Sequence, residues 1–193
     1  MKKQILLAFL FFFSLSILAK AQVRYGAKLG GNYTNLRLVH RESVPRIAGQ
    51  IGALALIPID NNDMFFVQPE VVYSMQGEYW KTGEIKTPVF LNYINVPIMA
   101  KFYFSNEESE FFVEGGPQFA FKIGDNIERL EMPNQKFKSF DLSFGLGLGY
   151  SITRDFEFNL RYNYGLLDSV EGDLENNNNN TSQLSFALAY ILR

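Results

Sequence analysis

The chain has no cysteine, one histidine, one tryptophan and no marked excess of either charge, since 18 Lys and Arg stand against 20 Asp and Glu in 193 residues. Without cysteine there is no disulfide framework, no thiolate zinc site and no cysteine nucleophile. The near-neutral balance offers no basic footprint for nucleic acid, which is not expected as a partner. Beyond residue 21 no stretch approaches the ~18 consecutive apolar residues with which a helix spans a bilayer. Aromatics and glycine are what the sequence has in quantity, with 19 Phe, 10 Tyr and 15 Gly in a composition that is 47% apolar. So much apolar surface excludes a disordered chain, glycine without a three-residue period excludes collagen, and the length favours one domain.

Residues 1–21 are expected to be a cleaved signal peptide. Lys2 and Lys3 precede an apolar run from Ile5 to Phe13, and Ala19-Lys20-Ala21 supplies a small-x-small cleavage site before Gln22. Removing Lys2, Lys3 and Lys20 takes the formal charge from −2 to −5. Residues 22–193 then form the single mature domain of an exported protein.

Almost everywhere in that domain the apolar period is two. Val23, Tyr25, Ala27, Leu29 and Tyr33 alternate with Arg24, Lys28, Asn32 and Thr34. Phe156, Phe158, Leu160, Tyr162 and Tyr164 alternate with Glu157, Asn159, Arg161 and Asn163. Such alternation puts one set on each face of a strand, whereas a helix would scatter both. The pattern recurs over 64–79, 90–104, 110–122, 140–152 and 182–192, and more weakly over 46–59, where Leu54 and Leu56 blur the polar face. Eight strands of about ten to fifteen residues exceed the usual globular length and suit a tilted crossing of a bilayer. The links 37–45, 60–63, 80–89, 105–109, 123–137, 153–155 and 167–181 alternate long and short. In outer-membrane barrels short turns face the periplasm and long loops the exterior, so both termini are expected in the periplasm.

The fold expected is therefore all-β, an eight-stranded antiparallel up-and-down transmembrane barrel in the outer membrane. Its apolar faces carry Phe, Leu, Ile and Val, with Tyr25, Tyr33, Tyr73, Tyr79, Tyr150 and Tyr162 toward strand ends, as in a hydrocarbon band between aromatic girdles. Outer-membrane lipid is thus the expected partner of the outer face. On the polar faces Arg24, Lys28, Lys101, Lys122 and Arg161 balance Glu70, Glu78, Glu114, Asp141 and Glu157. Unpaired interior charge is costly, so these ten are expected to form a structural lumen network without an open pore. Pro69, Pro97 and Pro117 fall inside strands, where each removes a ladder donor, and bulges or local breaks are expected beside them.

Signals for chemistry are sparse, and no catalytic, cofactor or metal site is expected. Gly145-Leu146-Gly147-Leu148-Gly149 lies on an alternating strand and lacks the turn-then-helix context of a dinucleotide loop. His40, with Glu42 and Ser43 nearby in the first long link, would be the centre of an alternative, a barrel-based lipid-modifying enzyme. Glu107, Glu108 and Glu110 are expected in a solvated turn. Asn-x-Ser/Thr matches at Asn32, Asn179 and Asn180 would matter only in a eukaryotic secretory pathway. A second alternative is a soluble lipocalin-like carrier with its apolar face inward around an apolar ligand.

Several segments carry a family likeness. They are Gly26-Ala27-Lys28-Leu29-Gly30-Gly31-Asn32, Phe66-Val67-Gln68-Pro69-Glu70-Val71-Val72-Tyr73-Ser74 with Gln76-Gly77, Leu91-Asn92-Tyr93-Ile94-Asn95-Val96-Pro97, Glu114-Gly115-Gly116-Pro117, and Arg161-Tyr162 with Gly165-Leu166. In these the chain resembles the PorT-like family of eight-stranded outer-membrane β-barrel proteins across nearly its whole mature length. The resemblance implies that the strand prolines are tolerated, and it brings no catalytic residues. It implies little about function; with no site chemistry in the sequence, the role expected is non-enzymatic, whether structural, adhesion or secretion-accessory, with secretion-system or cell-surface proteins as candidate partners.

On fractionation the protein is expected in the outer membrane, with different gel mobility before and after heating in SDS. Recovery in the soluble fraction with no heat-dependent shift would contradict the membrane barrel.

Overall fold

The computed structural model describes residues 23–36, 43–82, 85–126, 136–167, 170–171 and 180–192, so the expected signal peptide lies outside the described residues. Ten strands are present: β1 (Arg24–Leu36), β2 (Ser43–Pro58), β3 (Phe65–Thr82), β4 (Ile85–Tyr103), β5 (Glu110–Asp125), β6 (Lys136–Phe137), β7 (Phe140–Ser151), β8 (Phe156–Gly165), β9 (Val170–Glu171) and β10 (Thr181–Leu192). Eight of them close a barrel in the order β1-β10-β8-β7-β5-β4-β3-β2, each antiparallel to its neighbours. The remaining pair, β6 and β9, join the links before β7 and after β8 through Lys136↔Glu171 and Phe137↔Val170. No helix occurs among the described residues.

Alternation in sequence becomes alternation of in and out. Along β8, Phe156, Phe158, Leu160, Tyr162 and Tyr164 are exposed, while Glu157, Asn159, Arg161 and Asn163 are buried. On β10, Leu184, Phe186, Leu188, Tyr190 and Leu192 face out, and Gln183, Ser185, Ala187, Ala189 and Ile191 face in. The apolar set therefore covers the outside of the cylinder. That arrangement is the reverse of a soluble carrier, whose apolar residues would line the cavity.

Where the chain departs from the simple period, the geometry shows why. Leu54 and Leu56, which blur the polar face of β2, both point inward, at 4% and 1% exposure. Residues 80–89, expected as a loop, are mostly ladder, because β3 and β4 stay paired through Trp80↔Thr87 and Lys81↔Lys86 to Thr82↔Ile85. The strict alternation of long and short links fails at this hairpin. Gly77 sits within it at φ +123°, a region that L side chains rarely adopt, and a Cβ there would lie 2.0 Å from the Val89 carbonyl oxygen.

Pairing of β4 with β5 ends at Leu91↔Asp125. Asn126 then supplies side-chain substitutes for a strand neighbour: its Oδ1 accepts from the Phe90 amide at 2.8 Å, and its Nδ2 donates to the Pro88 carbonyl at 3.0 Å. Pro88 has no N–H to leave unpaired on that edge.

Beside Pro69, Pro97 and Pro117 the ladders break locally without changing register. Partners pass from Leu54↔Glu70 to Ile57↔Val67 on one side of β3 and from Pro69↔Ile98 to Val72↔Asn95 on the other. Between β4 and β5 they pass from Pro97↔Gln118 to Ala100↔Gly115. Intact pairs on both sides of each gap hold the strands in step. The two true register shifts lie elsewhere, between Pro45 and Gln50 and between Asn92 and Tyr93.

Three short turns, 59–64, 104–109 and 152–155, lie at the end of the barrel that holds the start of β1 and the end of β10. Asp60 caps the first by accepting from the amides of Met64 (3.2 Å) and Phe65 (3.0 Å). In the third, Ser151 Oγ accepts from the Arg154 amide at 2.9 Å, and Arg154 takes φ +59°.

If the outward face meets hydrocarbon, Leu146→Arg on that face should cost about 2–4 kcal/mol of folding free energy in lipid vesicles. Leu146 is 63% exposed in the isolated chain. Equilibrium unfolding checks this, and an unchanged stability would contradict it.

Candidate functional site

Among the described residues, polar and charged side chains from many strands converge in the lumen, which is layered along the axis. Next to the short turns lies an apolar cluster of Leu54, Leu56, Phe66, Tyr103, Phe112, Ala189 and Ile191. Tyr103 packs edge-on against Phe66, with ring centroids 5.4 Å apart, and tilted against Phe112 at 5.5 Å. Arg154 closes this end. Its guanidinium donates to the carbonyls of Asp63 (2.7 Å), Ser105 (2.9 Å) and Glu107 (3.3 Å), pairs with Glu110, and lies over the Tyr103 ring at 4.4 Å. One side chain thus links all three short turns.

The next layer is ionic. Lys28 of β1 pairs with Glu70 of β3 at 3.1 Å. Arg161 of β8 reaches across the lumen to Glu70 at 2.6 Å and also pairs with Glu114 of β5 at 2.7 Å. Asn159 donates to Glu114 at 2.8 Å. Gln68 extends the network by donating to Glu70 (2.7 Å) and accepting from Lys101 (3.1 Å), and Lys101 together with the Tyr103 hydroxyl engages Glu157. Three cations and three carboxylates therefore sit in one connected, buried and formally neutral set. Each charge has lost water, and its compensation is a partner on another strand. Gly147 faces this layer, where a Cβ would stand 2.8 Å from Glu114 Oε1, so the small residues on β7 make room for long ones opposite.

Toward the other end the lining is mostly uncharged. Asn32 donates to Ser74 Oγ at 2.8 Å, Thr34 to the Gly77 carbonyl at 2.7 Å, and Gln118 to Ser143 Oγ at 3.3 Å. Buried Asp141 accepts from Thr181 Oγ1 at 2.7 Å.

Of the ten charges expected to share one network, the structure brings together Lys28, Glu70, Lys101, Glu114, Glu157 and Arg161. Arg24 does not belong: it pairs with Asp63 at 3.0 Å on the turn end, with 22% of its side chain exposed. Lys122 is likewise at a rim, paired with Asp125 at 2.7 Å, and Asp141 lies apart from the six. The side chain of Glu78 falls outside the described residues, as do His40 and Glu42, while Ser43 opens β2 opposite Trp80. Glu110, expected in a solvated turn, is instead buried against Arg154, and both are only 4% and 8% exposed. Stepping by two back along β5 from Glu114 reaches Glu110, so parity carried that signal. Arg154, in a three-residue turn, carried none.

No group of three or more His, Cys, Asp or Glu suited to a metal ion occurs among the described residues. With the cylinder and its inverted polarity in place, the sequence comparison decides the class: the family model of the outer membrane protein beta-barrel domain matches residues 18–171. The chain belongs to that family. Only β10, which closes the barrel, lies wholly beyond the match among the barrel strands. Among solved structures, the outer membrane enzyme PagL is similar at 13% identity, covering 86% of this chain and 98% of that one with a TM-score of 0.51. The outer membrane protein OprG from Pseudomonas aeruginosa aligns at 13% identity over 89% and 94% of the two chains, with a TM-score of 0.47. At such identities the likeness is one of fold. No curated protein matches the sequence.

Within this family barrel, Glu70→Ala should leave Arg161 and Lys28 short of a counter-charge and cost about 3–5 kcal/mol. Arg24→Ala, at the half-open rim, should cost no more than about 1 kcal/mol. Denaturant unfolding in detergent or vesicles compares them, and equal losses would contradict the layered lumen.

Proposed function

We propose that this protein is a non-conducting, non-enzymatic outer-membrane barrel of PorT-like type. Its barrel anchors and presents the links at the end away from the termini, in a structural, adhesion or secretion-accessory role. The observation that carries this reading is the connected layer of Lys28, Glu70, Arg161, Glu114, Lys101 and Glu157, which crosses the lumen with its charges matched. Behind it stands the apolar cluster around Tyr103 and Phe112. An ion crossing the barrel would have to break paired charges and then enter an aromatic plug, and both steps are costly. The short turns at the terminal end support placing both termini in the periplasm, with the β3–β4 hairpin and the longer links outside. Secretion-system or cell-surface proteins would then be met by those links, the part of the molecule that the lipid and the lumen do not occupy.

Reconstituted in a planar lipid bilayer, the folded protein should give no stable conductance steps. A reproducible open level in the unsubstituted protein would overturn the closed-lumen reading.

A further inference from the structure

The outer half of the lumen holds more hydrogen-bond acceptors than its own side chains can serve. Asn32 Oδ1, Asn95 Oδ1, Asp141 Oδ1 and Asn163 Oδ1 are all buried without a donor, against one donor, Gln50 Nε2, without an acceptor. Their residues are 1–7% exposed. Buried polar atoms in native proteins nearly always have partners, so these oxygens, like Glu114 Oε2 in the ionic layer, call for a donor that the chain does not supply, either ordered water or a ligand.

Two of the four share one row of the sheet. Asn95 of β4 pairs with Ala120 of β5, and Ala120 pairs with Asp141 of β7, so Asn95 and Asp141 flank a residue that contributes only a methyl group. Neighbouring strands lie roughly 4.8 Å apart, which sets Asn95 and Asp141 about 10 Å apart at the backbone. Tyr93, buried and two residues from Asn95 on the same face, adds an aromatic ring to the same wall. Asp141 brings a carboxylate that accepts from the Thr181 hydroxyl at 2.7 Å and from the Leu142 amide, and that feels the positive charge of Lys138. The ammonium of Lys122, on the strand between, is engaged with Asp125 at 2.7 Å.

We propose that the Asn95–Ala120–Asp141 row is a binding site for a primary ammonium group. One carboxylate, an amide oxygen and an aromatic ring suit a singly charged cation with N–H donors. A divalent metal would call for more carboxylates than the row contains. The ionic layer beneath, with its charges already matched, forms the floor.

The test uses the full-length folded chain in lipid nanodiscs, titrated with methylammonium chloride against sodium chloride at equal ionic strength. The side-chain amide of Asn95 and the carboxyl carbon of Asp141 are followed by NMR. Saturable shifts with methylammonium but not with sodium are expected. They should weaken by about tenfold or more in Asp141→Asn, which keeps the shape and the Thr181 contact. Asn95→Leu serves as a second variant with the same expected loss. Equal responses to sodium and methylammonium, shifts that never saturate, or unchanged affinity in both variants would overturn the proposal.

Discussion

Closure of the sheet is the constraint on which the rest of this molecule depends. β1 and β10, from opposite ends of the chain, pair without interruption from Tyr25↔Leu192 to Leu36↔Thr181. In hydrocarbon no water is available for an open strand edge, so every backbone donor and acceptor must find its partner within the ring of strands. Closing eight strands leaves an interior just wide enough for side chains. Everything inside must therefore be small, paired or apolar, and everything outside must tolerate lipid. The proline breaks are admitted only because the pairs on both sides of each gap stay in register.

That narrow interior explains its layering. At the turn end apolar rings fill the cylinder, and Arg154 secures the turns to one another by donating to carbonyls of both of its neighbours. Above the rings, strands that never touch in the sheet are connected by charge: Glu70 of β3 and Glu114 of β5 meet through Arg161 of β8. Such cross-lumen contacts brace the cylinder against flattening, as ladder bonds alone cannot. They also lie across the path an ion would follow, so on the proposed reading the anchoring and the closed lumen share one physical source.

Much of this was legible in the residue order, because a period of two says which side of a sheet a residue takes. It says nothing about height along the axis. Arg24, Lys122 and the six network residues share inward parity, yet the first two sit at the rims, where Asp63 and Asp125 are nearer than any lumen carboxylate. Leu54 and Leu56 broke the polar pattern of β2 because the lumen itself has an apolar storey. The β3–β4 hairpin was hidden in residues 80–89, where Trp80-Lys81-Thr82 lacks a clear apolar face, and it forms by continuing a ladder already begun. Arg154 was invisible because its partners, carbonyl oxygens of distant turns together with Glu110 and the Tyr103 ring, are encoded by no local pattern.

The central claim is that this cylinder is inverted, with apolar residues toward lipid and charges within. Because the chain has no native cysteine, single cysteines can be placed along residues 156–165 and spin-labelled one at a time. Collision with dissolved oxygen and with a water-soluble nickel complex should then be measured in lipid vesicles. The account predicts that labels at even positions, from Phe156 to Tyr164, collide strongly with oxygen and weakly with nickel, while odd positions are shielded from both. Strong nickel collision at the even positions would show that face to be in water and would contradict the account.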